Sequence, residues 1–500
     1  AVRHLEQALK AQEVLDPDDK AKRCDLLLAL GEALLPAGEP LRADEEVAER
    51  AFQLAEQLRD SERAVRAFEV GTNARFLYGG SGAAGWQGPR YATWAERIDA
   101  HAPIGSPQRG RADLAMASRS FSLGRLREAA EYRERAWHAA EANDDIELTI
   151  RAGFLWIRHM TVRPSDLSPR FPLVDVWADR IWPSVSPFAL TSFRGGLAEC
   201  LLAFGQRDRA QQQWRLIGEL AERLQNPQVA IDHLGTRAME RLLDGDLEGA
   251  VHQAEEMREL GEQRGVPGSS RRSADAVSRA PLLLLGRAEL AFGALTNEVR
   301  DVTPIALGGI YSTRRVLYLG LAGRDGEAQE LLQRYLHALA SEGGLDILGC
   351  STLSVLTEAA VVLGDLALAA QLLRIMAPQA ERIIASAGNL MVPGRHMGAA
   401  AALFGEPDQA RDYYRQAIDV CTKVRFRPEL ALTRLQLAEL LLDESAKPAP
   451  FGHRRSKGND PTTLHAEAIA HLDFAIAEFR AMRMQPSLER ALRHRDLLKA

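Results

Sequence analysis

The 500-residue chain is 46% hydrophobic, 26% charged and 6% aromatic, a folded globular composition far from disordered or collagen-like sequences. Its 62 basic and 68 acidic side chains leave a net charge of −6, which excludes a global basic field that would drive non-specific nucleic-acid or membrane binding. Length alone suggests about three domains, unless internal repeats let one core grow along an axis.

Cys24, Cys200, Cys350 and Cys421 form no CxxC pair and no Cys/His cluster at metal-ligand spacing, and read as reduced core thiols. The longest obvious apolar run, 282–285, lies between Pro281 and Gly286 and is far too short for a membrane helix, so the chain reads as cytoplasmic. It opens on Ala1 with Val2, Leu5, Ala8 and Leu9 already on one helical face, the expectation being a piece of a longer protein.

A Gly-x4-Ala signature recurs at Gly38/Ala43, Gly124/Ala129, Gly205/Ala210, Gly245/Ala250, Gly286/Ala291, Gly323/Ala328, Gly364/Ala369 and Gly405/Ala410. The spacing is about 40 residues or close to twice that, and degenerate copies are expected near residues 80 and 164. Glycine past a helix end takes the left-handed conformation and turns the chain; alanine one turn later lets the next helix approach closely. A small residue seven positions before the turn (Gly31, Ala117, Ala198, Ala238, Gly398) supports the same crossing, while Arg279, Val316 and Thr357 break it. Strand signals are nearly absent.

In chain order the pattern predicts helix pairs over 20–58, 61–102, 107–142, 145–183, 187–225, 227–264, 270–298, 304–341, 345–386, 390–424 and 427–483, then a terminal helix near 487–498. The fold class is all-α: a right-handed α-solenoid of about eleven pairs spanning 1–500 as one repeat domain. Irregular loops are expected at 79–89, 161–187 and 445–461, where a recognition loop or a tolerated insertion sits.

The turn Gly, the Ala five residues on, the small residue seven before and LDPDD closing the first helix resemble the tetratricopeptide repeat, lengthened to about 40 residues. CDLLLALGEALLPAGEP, LFGEPDQARDYYRQAI and RPELALTRLQLAELLL are similar to the helical-repeat halves of bacterial STAND-class signal-transduction ATPases, among them LuxR-type regulators and nucleotide-cyclase fusions. The resemblance implies an upstream nucleotide-binding module in the parent chain.

That module's P-loop is not in these residues, since no Gly-Lys dipeptide occurs. Gly80-Ser-Gly82-Ala-Ala-Gly85 spells GxGxxG but follows a helical stretch and precedes Trp86-Gln-Gly-Pro89, so it reads as an inter-helix loop, not a dinucleotide cradle. There is no HExxH and no GxSxG; His465 and His471 fall on different helix faces. Carboxylate pairs such as Asp18/Asp19 and Asp144/Asp145 read as helix-end complements. No cofactor and no metal is expected. Two basic segments, 447–457 and Ser269-Ser-Arg271-Arg272, are solvated loops or contacts for a phosphate or acidic partner. Trp86, Trp94, Trp156, Trp177 and Trp182 flank the irregular stretches and either fill the core or offer a second contact surface.

By the tetratricopeptide resemblance, first helices line the concave surface. Counting back from each turn Gly selects Arg111, Ser118, Glu199, Asp232, Thr313, Ser354, Glu358 and Arg395 on the groove face, with Arg194, Arg314, Arg315 and His396 beside it. This mixed-polarity groove suits a peptide or small metabolite, not a polyanion, and Arg314, Arg315 and Arg395 are expected to be removable together without cost to the fold. The leading reading is a non-catalytic sensor or scaffold that binds a protein, peptide or small-molecule inducer and controls an attached signalling module, with no direct nucleic-acid or membrane partner. The alternatives are a passive adaptor or self-assembly scaffold and, last, an all-α enzyme.

Overall fold

The computed structural model describes residues 1–79, 88–158, 162–182, 185–224, 226–296, 304–386, 388–446 and 461–497. The Gly80–Gly85 string with Trp86 and the basic insert 447–457 lie outside the described residues, as does part of 161–187.

Helix Val2–Leu15 precedes eleven helix pairs, and Gln485–Leu497 follows them. Pair 1 is Lys20–Leu34 with a second helix running through Pro40–Arg42, a π-helical segment Ala43–Ala48 and Glu49–Leu58. Pairs 2 to 4 are Ser61–Gly79 with Pro89–His101, Pro107–Leu123 with Leu126–Asn143, and Ile146–Ile157 with Pro164–Asp179. Pairs 5 to 7 are Pro187–Ala203 with Arg207–Leu224, Pro227–Asp244 with Leu247–Gln263, and Pro267–Leu284 with Ala288–Thr296. Pairs 8 to 11 are Ile310–Leu321 with Asp325–Ala340, Cys350–Val362 with Leu366–Met376, Pro393–Leu403 with Pro407–Val424, and Arg427–Ala446 with Pro461–Met482. The fold is an all-α helical-repeat solenoid.

The turn signature works as its chemistry dictates. All eight turn glycines have φ between 67° and 81°, and all eight partner alanines are buried where the two helices of a pair cross. The four cysteines are buried and form no disulfide; burial pushes the Cys24 thiol up to about 11 and Cys350 up to about 12, so neither forms thiolate near neutral pH. No described helix is long and apolar enough to cross a membrane.

Two regions differ from the sequence expectation. Much of the Pro-rich stretch is helical, Pro164–Asp179, despite Pro169 and Pro172 inside it. The buried Leu167, Val174 and Trp177 hold it, and Trp177 meets Trp137 at 5.4 Å and Phe193 at 5.3 Å in an aromatic cluster with Trp156 and Trp182. Trp177 and Trp182 are therefore packing residues, as is Trp94 against Phe52, while Trp156 is only partly buried in the cluster. Second, pair 9 ends in a β-hairpin, Ile384–Ser386 against Asn389–Met391, with Ile384 opposite Met391. Its three-residue strands are too short for a period-2 signal.

The superhelix winds until its coils touch. The turn of one pair meets a junction between pairs about five pairs further along: Gly205 of pair 5 lies against Lys423 before pair 11, and Gly38 of pair 1 against Arg264 before pair 7. Hydrogen bonds stitch the same seam. Arg127 Nε donates to Glu342 O (2.7 Å, 215 residues apart), Arg207 Nη1 to Val424 O (3.0 Å, 217 apart) and the Cys350 amide to Val162 O (2.9 Å). Arg425 pairs with Asp208 at 2.7 Å.

At Gly38 a Cβ would sit 2.6 Å from Arg264 O, whereas at Gly364, with nearly the same φ, nothing lies within 4 Å. Gly364→Ala is expected to cost only the left-handed backbone penalty, about 1–2 kcal/mol. Gly38→Ala adds a clash with main-chain oxygen and should cost clearly more, a contrast readable in paired denaturant melts.

Candidate functional site

The first helices of pairs 2 to 7 turn one face inward, and the coil closes that face into a cavity of about 1320 Å³. Pair 2 contributes Glu69, Thr72 and Phe76, pair 3 contributes Arg111, Ser118 and Phe121, and pair 5 contributes Phe188, Thr191, Gly195 and Glu199. Pair 6 adds Asp232 and Gly235, and pair 7 adds Arg272 and Ala276. These positions step by three and four residues, one helical face. Gly308 and Tyr311, leading into and on pair 8, together with Leu348, Gly349 and the hairpin's Gly388, close the far side. The hairpin is apolar and buried at Ile384, Ala385 and Leu390, and packs on helices of pairs 5, 7 and 9.

The wall is mixed. Phe76 and Phe188 meet edge-on at 5.2 Å, and the Arg272 guanidinium covers Phe76 at 3.8 Å. Arg170, reaching in from the Pro-rich helix, stacks on Trp156 at 4.3 Å and donates to its carbonyl. Burial, and then the neighbouring Arg133, push Arg170 down to about 10.

Two carboxylates face this basic, aromatic wall. Asp232 accepts from Thr191 Oγ1 and Gln228 Nε2, both at 2.7 Å, and burial raises its pKa. Glu199 has no hydrogen-bond partner among the described residues; burial pushes it up to about 7, only partly offset by the field of Arg158. One turn back on the same helix is Gly195, with nothing within 4 Å of where its Cβ would be, so the space beside the Glu199 carboxyl is open.

Of the residues picked from sequence, Arg111, Ser118, Glu199 and Asp232 are brought together on this cavity. Arg111 is held by Asp145 at 3.0 Å. Arg272, from the Ser-Ser-Arg-Arg segment, lines it too, as do Arg163 and Arg170 from the Pro-rich stretch. Arg194 points instead into pair 5, donating to Gln213 at 2.7 Å.

The remaining candidates sit apart from the cavity. Thr313, Arg314 and Ser354 are buried in the core, and Arg315 is exposed to solvent on another face. Arg395 is clamped by Glu429 at 2.5 Å and lies 3.7 Å from Glu358, with His396 beside them at 3.8 Å from Glu358. Burial, reinforced by Arg395, pushes His396 down to about 3, so the ring is neutral. The counting rule holds in the first coil and fails in the second, because the hairpin fills the centre there and the inner faces become core. Arg314 and Arg395 therefore cannot be removed without cost to the fold, contrary to the sequence expectation.

Among the described residues no group of three or more His, Cys, Asp or Glu side chains could hold a metal ion. No family model matches the chain, and no curated protein matches it. Among solved structures it is similar to the crystal structure of the APC/C hetero-tetramer Cut9–Hcn1, at 14% identity and a TM-score of 0.42 over 97% of this chain and 86% of that one.

Arg395→Ala leaves Glu429 buried without its cation and is expected to destabilise the protein by about 3–5 kcal/mol, seen as a lower denaturation midpoint. Glu199 titrates in the opposite sense from a salt-bridged acid. Its folded pKa is above the unfolded value of 4.5, so the folded state holds the extra proton, and stability from this group is present below about 4.5 and lost as pH rises to about 7. Glu199→Gln should raise stability at pH 8, on the order of 1 kcal/mol, and change little at pH 4. Equal shifts at both pH values would show that the carboxyl is not titrating in the cavity.

Proposed function

We propose that this chain is a binding and sensing module whose superhelical cavity takes a small molecule or a short peptide. One observation carries the reading: a large, partly open cavity lined by the inner faces of six successive pairs, with the half-buried Glu199 carboxyl making no hydrogen bond among the described residues beside an open patch of its wall. A carboxyl partly shielded from water gains from a ligand that supplies a hydrogen-bond donor. Several wall cations, Arg111, Arg151 and Arg163 among them, are held by carboxylates, which suits recognition better than proton transfer or nucleophilic attack.

The sequence likeness to STAND-class repeat halves supports a finer version, in which the occupied coil controls an upstream nucleotide-binding module of the parent protein. An occupant touching pairs 2 to 7, the start of pair 8 and the hairpin would bridge two coils and shift the balance between coil pitches.

Gly195→Phe tests the reading. The position is mid-helix on the cavity wall, and a Cβ there meets no described atom within 4 Å, so the added ring occupies cavity space. In a thermal-shift screen of metabolites and short peptides, compounds that stabilise the parent chain are expected to lose at least about tenfold in affinity against Gly195→Phe, whose own melt is unchanged or higher. Hits bound equally well by both proteins would place binding elsewhere and end the cavity reading.

A further inference from the structure

The seam between coils joins two unlike edges, and one copy of each is left uncovered at the ends of the superhelix. Within the chain, the turn edge of the first coil (Gly38, Gly124, Gly205, Gly245, Gly286) is covered by the junction edge of the second. The turn edge of pairs 8 to 10 has the same backbone geometry but no cover among the described residues: at Gly323, Gly364 and Gly405 none of them lies within 4 Å of where a Cβ would sit.

The side chains flanking those turns follow the same division. Two residues before the turn glycine, Leu243 of pair 6 is 0% exposed; its equivalents Leu321 and Leu403 are 55% and 41% exposed. Two residues after it, Leu126 and Leu247 are 5% and 1% exposed, and the equivalent Leu366 is 49% exposed. Apolar residues that serve the seam in the first coil are thus present in the second with nothing to serve.

The opposite end displays the complementary edge. Junctions in the first coil expose Leu15, Leu58, Ile104, Ile181 and Leu224, with Ile104 96% and Ile181 84% in water. Junctions of the second coil, which do meet a turn edge, bury their apolar residues, as at Val266, Phe426 and Met484. The end junctions also keep polar caps, Asp60, Asp145 and Asn226, that satisfy helix N-termini in water. Each end is therefore soluble alone, and association depends on concentration.

We propose that a second copy of this chain docks head to tail, its junction edge of pairs 1 to 5 seated on the open turn edge of pairs 8 to 10, repeating between molecules the contact the chain makes with itself. The contact is heterologous and does not close on two copies, so the chain grows into short fibres instead of stopping at a dimer.

Sedimentation velocity on the 500-residue chain tests this. The parent is expected to shift from monomer to a ladder of species beyond the dimer as concentration rises. Leu321→Glu, Leu366→Glu and Leu403→Glu together block one edge; Ile104→Glu and Ile181→Glu block the other. Each side chain is already in water in the monomer, and matching helical melts confirm that both variants fold. Each variant alone should lose at least about tenfold in self-affinity, and a mixture of the two should form a species that stops at two copies. Three outcomes overturn the proposal: a parent that stays monomeric throughout, a mixture that does not associate, or a junction variant that still dimerises by itself, which would mean like edges pair. Should a Glu variant not fold, serine at the same positions gives the same discrimination.

Discussion

Everything here depends on how closely two layers of backbone can approach at the coil seam. A left-handed glycine turns the chain within each pair, and because it has no Cβ the main chain of the next coil rests directly on it, as Arg264 does on Gly38. A larger residue would do more than strain the turn; it would wedge the coils apart. The turn residue that makes the repeat is also the spacer that sets the pitch. A tight pitch in turn converts what would be a shallow groove into a deep, partly open bore.

Enclosure then decides the electrostatics. In an open groove Glu199 would be a solvated carboxylate; inside the bore, burial alone moves it close to neutrality, while Asp232, equally enclosed, keeps two donors. The arginines on the same wall stay charged because each coil brings a carboxylate or an aromatic face with it, as Asp145 for Arg111 and Phe76 for Arg272. Among the described residues the second coil shows no such bore. There the hairpin and the Arg395 cluster consume the interior, and the same positions that offer a surface in pairs 2 to 7 become structural ion pairs.

The repeat architecture was readable because its signal is local: glycine, alanine and small residues at fixed offsets report a crossing made within one pair. The eleven pairs and terminal helix follow from that spacing alone. Part of the candidate cavity's lining was readable for the same reason, since Arg111, Ser118, Glu199 and Asp232 obey the helical count. What could not be read was anything set by contacts between pairs or between coils. Nothing near Arg395 distinguishes a groove residue from a core one; the difference is the hairpin at 384–391 and Glu429, on the next pair. Arg170 was hidden differently. Two prolines masked its helix, and only the tryptophan cluster that overrides them shows why the helix forms and where its guanidinium points.

The seam and the cavity are one mechanical system. Residues closing the cavity's far side, Gly308, Tyr311, Leu348 and Gly349, belong to the second coil, and the seam bonds at Val162 and at Glu342 lie beside them in the chain or in space. An occupant that presses on both coils works directly against those bonds, and one that pulls both inward reinforces them. Packed interfaces move between discrete arrangements more readily than they stretch, so under the proposed reading a ligand that bridges both coils would favour one coil pitch over another. The uncovered edges are the outer members of the same stack, and a change of pitch would reach them through the seam.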